Sequence, residues 1–173
     1  MKIYKTKFKD LLIIKGKKFK DNRGAFRELL RGNVINRKFK FQITSVSKKN
    51  VIRGLHYQKK NAQGKYVSVL KGKIVDICVD LRKKSKTFGK YYKIVLSSEN
   101  CISIFIPPGF AHGFGTLDKE NIVTYSCTNY RDQNSEGGIK WNDKKLNIKW
   151  GIKKPILSLK DKNNQSFEGY LSE

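Results

Sequence analysis

The chain has few of the residues that most often announce a compartment or a chemistry. Among its 173 residues are three cysteines, two histidines, three prolines and two tryptophans. Cys78, Cys101 and Cys127 are an odd set, each in an apolar stretch and none in a CxxC pair, which argues against a disulfide framework or a zinc knuckle. Small buried thiols are expected instead. No apolar run approaches the roughly 18 residues of a membrane helix. The opening stretch, MKIYKTKFKDLLIIKGKKFK, interrupts its apolar segments with lysine before a signal-peptide core can form. These features lead us to expect a soluble, cytoplasmic protein with no membrane partner.

Other absences narrow the chemistry. GxGxxG and GxxxxGK[ST] do not occur, so no Rossmann or P-loop cofactor site is expected and any nucleotide must be held by side chains. There is no GxSxG elbow, and the cysteines lack a neighbouring base, which leaves covalent hydrolysis without support. His56 and His112 form no HxH or HxxxH pair and join no Cys/His cluster, so no metal is expected. Proton transfer remains.

Acidic residues are also scarce, 14 against 38 basic ones, which leaves a formal charge of +24. A charge of that size suggests a polyanionic partner. However, 31 of the basic residues are Lys and only seven are Arg, they are scattered along the chain, and the longest basic runs are two to three residues. Nucleic-acid readers gather their charge on one face and rely on Arg forks. A solvated surface on a chain of lysine-rich composition is the expectation, with no nucleic-acid partner.

What is present points to β structure. Hydrophobic residues (38%) and aromatics (12%) run through the whole length, which excludes a disordered chain. Short segments of Val, Ile, Tyr and Phe recur about every ten residues between turn signals, and a 3.6-residue period is almost nowhere sustained. Strands are predicted at Phe41 to Ser47, Val51 to Tyr57, Lys65 to Leu70, Lys73 to Asp80, Tyr91 to Leu96, Ile102 to Ile106 and Ile122 to Thr128, with a tight turn at Lys71-Gly72. Seven or more strands in one domain spanning 1–173 suggest an all-β closed barrel or jelly roll. The stretch after Trp141 reads as an irregular, partly helical tail over the barrel.

Strand periodicity makes two polar residues conspicuous. Lys65 shares a face with Val67 and Val69, and Tyr125 shares one with Val123 and Cys127. On an inward face the lysine would need an anion or a polar pocket and the phenol a partner; a solvent-reaching lysine and a satisfied core tyrosine are the structural alternatives. Both histidines stand in unusual settings, Arg53-Gly54-Leu55-His56-Tyr57-Gln58 and Pro107-Pro108-Gly109-Phe110-Ala111-His112-Gly113-Phe114.

In this respect the chain resembles the dTDP-4-dehydrorhamnose 3,5-epimerases, cupin-like jelly-roll dimers. The resemblance rests on Phe19-Lys20-Asp21-Asn22-Arg23-Gly24-Ala25-Phe26-Arg27-Glu28, on Lys49 to Gln58, on Asn61-Ala62-Gln63-Gly64-Lys65 and on Val79-Asp80-Leu81-Arg82. It continues through Ile106 to Phe114, Thr124-Tyr125, Asn129-Tyr130, Ser135-Glu136-Gly137 and Trp141-Asn142-Asp143. It implies His56 as the catalytic base, Tyr125 as the proton donor, Asp161 as the carboxylate that orients the base, and substrate contacts at Arg23, Glu28, Arg53, Lys65, His112, Glu136 and Lys160. It further implies a homodimer acting on a dTDP-sugar without a cofactor. Family members often carry Gln-Asp-Asn ahead of the Ser-rich strand, where this chain reads Phe41-Gln42-Ile43-Thr44-Ser45.

A 4-keto group acidifies the hydrogens at C3 and C5, so a base on one face and an acid on the other could invert either centre. Lys65 would then stabilise the enolate at the C4 oxygen. A single-centre epimerase or a ketoisomerase on a related nucleotide sugar would use the same parts. A noncatalytic, polyanion-binding barrel is the alternative outside enzymes.

Overall fold

A computed structural model describes residues 1–172. In chain order the strands are β1 (Lys2–Lys5), β2 (Leu12–Lys15), β3 (Lys18–Asp21), β4 (Gly24–Arg27), β5 (Phe41–Lys48), β6 (Ile52–Gln58), β7 (Lys65–Lys71), β8 (Lys73–Asp80), β9 (Tyr91–Ser97), β10 (Ile102–Ile106), β11 (Phe110–Thr116), β12 (Glu120–Cys127) and β13 (Glu136–Gly138). Two short helices follow, α1 (Leu159–Lys162) and α2 (Phe167–Leu171). One sheet has the order β1-β2-β10-β7-β12-β5, a second has β13-β6-β11-β8-β9, and β3 and β4 form a separate hairpin. The two larger sheets make a jelly roll. No helix among the described residues is long and apolar enough to cross a membrane.

The alternating pattern of β8 explains the layering. Ile74 and Cys78 point between the sheets, into a core shared with Val67, Val69, Ile104, Phe114 and Val123. Val75, Ile77 and Val79 point the other way and are just as buried, because Leu146, Ile148, Trp150 and Phe167 of the tail pack over them. The tail therefore closes the outer face of the five-stranded sheet, each large apolar side chain contributing about 1.5–3 kcal/mol of burial. Trp150 is anchored there by a 2.7 Å hydrogen bond from its indole N–H to the Trp141 carbonyl. All three thiols are buried and unpaired.

The seven predicted strands all form, with ends shifted by a residue or two. Gly72 turns the chain from β7 to β8 at a φ of 81°, and because these strands lie in different sheets the turn is a corner between layers. The sequence reading missed β11. Its Phe-Ala-His-Gly-Phe-Gly-Thr run has no β-branched residue before the last position, yet it is buried throughout between β6 and β8. It also missed β1 to β3, which carry lysines at one or both ends, the four-residue β4, which opens on a glycine, and the three-residue β13.

Candidate active site

One end of the space between the sheets is a cavity of about 500 Å³ rather than packed core. Its two walls come from facing sheets. On the six-stranded sheet, the register places Lys65 beside Cys127 and Phe41 in one row and Val67 beside Tyr125 and Ile43 in the next. On the five-stranded sheet, His56, His112 and Cys78 are successive cross-strand partners. Lys65 and Tyr125 thus line one wall, and His56 and His112 the other.

Strict strand alternation would put Arg53 and His56 on opposite faces, yet both line the cavity. The pairing of β6 with β11 shifts register between His112 and Phe114, opposite Gly54. Gly54 has a φ of 133°, and a Cβ there would lie 2.5 Å from the Gly113 Cα. Only glycine allows this close crossing. It turns Arg53 and His56 to the same side and leaves Leu55 in the outer core.

Asp161 reaches His56 from the tail. Ser158 caps α1 by accepting a 3.1 Å hydrogen bond from the Asp161 amide, which sets Asp161 in the first turn facing β6. Its Oδ1 lies 2.5 Å from His56 Nε2. Burial disfavours the charged form of Asp161, but the bond with His56, supported by Ser158 and the Gly54 amide, outweighs it and holds the carboxyl below its usual range.

Lys65 forms no ion pair among the described residues, and burial lowers its ammonium group, with Cys127, Glu136 and Asp76 nearby opposing the shift. Tyr125 is raised by burial, an effect partly offset by its 3.3 Å hydrogen bond with Ser45. His112 Nε2 lies 2.8 Å from Asp76 Oδ2, in a pair almost closed to solvent. Arg53 donates to the Ser47 hydroxyl at 3.0 Å and keeps an exposed head at the cavity. Glu136 accepts two bonds from Arg131, at 2.6 and 2.9 Å, and one from Lys160 at 2.9 Å, and these cations hold its carboxyl at about 2.

Eight of the ten sequence-derived site residues therefore meet in one cavity: His56, Tyr125, Asp161, Lys65, Arg53, His112, Glu136 and Lys160. Arg23 and Glu28 do not line it. Arg23 pairs with Asp21 at 2.7 Å in the β3–β4 hairpin, and Glu28 pairs with Arg31 at 2.8 Å just beyond it. Both pairs are local, so nothing within this chain draws either side chain to the cavity.

Phe41, Ile43, Ser45 and Arg131 line the cavity although the sequence reading gave them no role. Phe41 and Ile43 stand where this chain departs from the Gln-Asp-Asn string, and Phe41 stacks on Tyr130 at 5.7 Å. Asp76 was missed as well. The signal for it was present, an acidic residue in the middle of the apolar strand Ile-Val-Asp-Ile-Cys-Val.

The family model for dTDP-4-dehydrorhamnose 3,5-epimerase matches residues 5–169. This chain belongs to the dTDP-4-dehydrorhamnose 3,5-epimerase family. Relatives of that name from Shigella flexneri and Salmonella typhimurium are 44% and 45% identical to it. The matches cover 96% of both chains in the first case, and 93% of this chain and 92% of the relative in the second. A solved structure of the Legionella pneumophila dTDP-6-deoxy-D-glucose-3,5-epimerase, in complex with dTDP-4-keto-L-rhamnose, superposes with a TM-score of 0.91 at 38% identity. That likeness covers 96% of this chain and 93% of the Legionella chain. Within this epimerase family the Arg-Gly-Leu-His string of β6 takes on a physical meaning. Its glycine is the crossing point that lets one strand present both a cation and an imidazole to the same cavity.

Proposed function

We propose that this chain is a dTDP-4-dehydrorhamnose 3,5-epimerase that inverts C3 and C5 of a dTDP-4-keto-6-deoxyhexose by proton transfer. The observation that carries the reading is the placement of a His–Asp pair and a tyrosine on opposite walls of one cavity. With Nε2 committed to Asp161, the other ring nitrogen of His56, Nδ1, takes the proton from carbon. The C–H electron pair moves into an enolate whose charge lies on the C4 oxygen. Asp161 fixes the tautomer and favours the imidazolium that forms. Lys65, on the wall facing His56, stabilises the C4 oxyanion in a partly desolvated space. Tyr125 returns a proton to the same carbon from the opposite face, and exchange with water resets both groups. Balance is complete without an external oxidant, reductant or cofactor.

Arg53 and Lys160, joined by Arg131, supply cationic heads on the exposed part of the lining, suited to a diphosphate. Glu136 and His112 are assigned to the sugar. We place Arg23 and Glu28 in a homodimer, where the hairpin of one subunit serves the cavity of its partner. Supporting this, Phe19 and Phe26 on that hairpin are 61% and 70% exposed, an apolar surface that a partner would cover. One domain carries the whole activity, and the three unpaired thiols suit the cytoplasm.

The test is incubation of dTDP-4-keto-6-deoxyglucose with the protein in deuterated water. Deuterium is expected at both C3 and C5. Incorporation at one carbon alone would replace this reading with a single-centre epimerase, and incorporation at neither would sink it for this substrate.

A further inference from the structure

The tail segment that carries Asp161 is tied to the strands at its two ends, by single parallel bridges of Ile156 with Val51 and of Gln165 with Ile139. At the first the Ile156 amide donates to the Asn50 carbonyl at 2.8 Å, and at the second the Lys140 amide donates to the Gln165 carbonyl at 2.8 Å. Between these points, among the described residues, the hydrogen bonds of its backbone stay inside the segment. Leu157 and Asn164 are seated near the ends, but in the middle Leu159 is 77% exposed, so α1 has no apolar anchor of its own. A single helical turn does not hold itself in water. Something else must fix how it sits.

Two side chains of α1 reach the strands by hydrogen bonds, and they are neighbours in sequence. Asp161 reaches His56 on β6, and Lys160 donates to Glu136 Oε2 on β13 at 2.9 Å. The two strands are themselves paired, with Gly138 opposite His56 and Glu136 opposite Gln58. Glu136 is already immobilised when Lys160 meets it: the Arg131 fork binds both of its oxygens, at 2.6 and 2.9 Å, and its side chain is only 20% exposed. An ion pair of this exposure adds little to stability. Its value lies in geometry, because holding Lys160 sets the rotation of the turn on which Asp161 is the next residue.

We propose that Glu136, beyond its contact with the sugar, is a positioning residue for the base: by holding Lys160 it fixes the helical turn that sets Asp161 against His56. This rests on the epimerase reading. It makes the geometry of the dyad depend on a carboxylate that bonds to neither member, and a displacement of about 1 Å at a reacting group costs roughly 10²-fold in rate. A lysine ammonium has three donors, so Lys160 keeps Glu136 while it also meets a diphosphate.

A double-mutant cycle tests this, with kcat for deuterium exchange into dTDP-4-keto-6-deoxyglucose as the readout. Glu136→Ala and Lys160→Met are each expected to lower kcat about tenfold, and the double variant less than about threefold further, because one link is broken once. KM should rise in the Lys160 variants, which lose a diphosphate cation, without altering that pattern. Glu136→Gln keeps an acceptor for Lys160 and should recover part of the kcat loss. A greater further loss in the double variant overturns the proposal, as does either single variant within about threefold of wild-type kcat. Amide hydrogen exchange tests the link without substrate: in Glu136→Ala the Lys162 and Asn163 amides are expected to exchange at least about fivefold faster, with β6 unchanged. Unaltered exchange at those amides overturns the proposal. A wild-type protein that leaves both sugar carbons unexchanged instead refutes the epimerase reading, while the amide result still decides whether Glu136 holds α1.

Discussion

The imidazole of His56 and the carboxylate of Asp161 meet at 2.5 Å with unequal exposure, the ring 38% open to the cavity and the acid 5%. One member faces substrate and the other faces protein. Replacing the buried member with an isostere separates orientation from charge. Asp161→Asn is expected to reduce kcat about 10²- to 10⁴-fold with KM and the unfolding midpoint little changed, since the amide fills the same space but cannot favour an imidazolium. Steady-state kinetics beside a thermal melt would check this, and an Asn variant of undiminished kcat would remove Asp161 from the mechanism.

Tyr125→Phe removes the donor from the opposite wall and leaves the base intact. We expect His56 to keep exchanging substrate hydrogen with solvent while inversion falls at least about 10²-fold, because the proton returns to the face it left. Deuterium incorporation without a change of configuration, followed by NMR, is the expected signature. Equal losses of exchange and inversion would contradict the assignment.

Gly54 and Gly24 have nearly the same backbone angle, φ 133° and 134°, in different surroundings. A Cβ on Gly54 would meet the Gly113 backbone at 2.5 Å, while one on Gly24 finds nothing within 4 Å. Gly54→Ala is therefore expected to cost more than about 3 kcal/mol and Gly24→Ala about 1 kcal/mol. Urea unfolding of the pair tests this; similar losses would mean that backbone angle alone matters.

Asp80 supplies a pH prediction away from the cavity. Burial would raise its carboxyl, but hydrogen bonds from Arg82, Ser85 and Thr87 outweigh that and hold it at about 2, against an ordinary 3.8. Its folded value is depressed, so its stabilisation is complete above pH 3.8 and is lost as pH falls through 2. The shift corresponds to about 2 kcal/mol. Asp80→Asn should flatten the fall in unfolding free energy between pH 4 and pH 2 by about that amount, and an unchanged acid limb would contradict it.

The reach and limits of sequence reasoning are visible in particular strands. β8 and β12 were legible because Ile, Val, Cys and Tyr are concentrated there in short runs bounded by turn signals, and the inward direction of Lys65 and Tyr125 followed from counting by twos. β11 was not, since its small residues make room for neighbours rather than announce a strand. Arg53 and His56 fail the same count because the Gly54 crossing resets the alternation, and no local pattern encodes where a crossing falls. The likeness of motifs supplied Asp161, which the tail's composition did not mark. Arg23 and Glu28 lie outside the cavity because the β3–β4 hairpin and the segment after it do not line it within one chain, and each pairs with an oppositely charged neighbour where it stands.

His56 and Asp161 lie 105 positions apart in the chain. At the 5–20 residues per second of synthesis, the base waits roughly 5–20 seconds for its carboxylate to be made. The same late segment carries the apolar cover of the five-stranded sheet. Reactivity and closure of the outer core are thus written into one stretch of the message. A nascent molecule can display its strands early, but it gains its dyad only when the cover has also been translated.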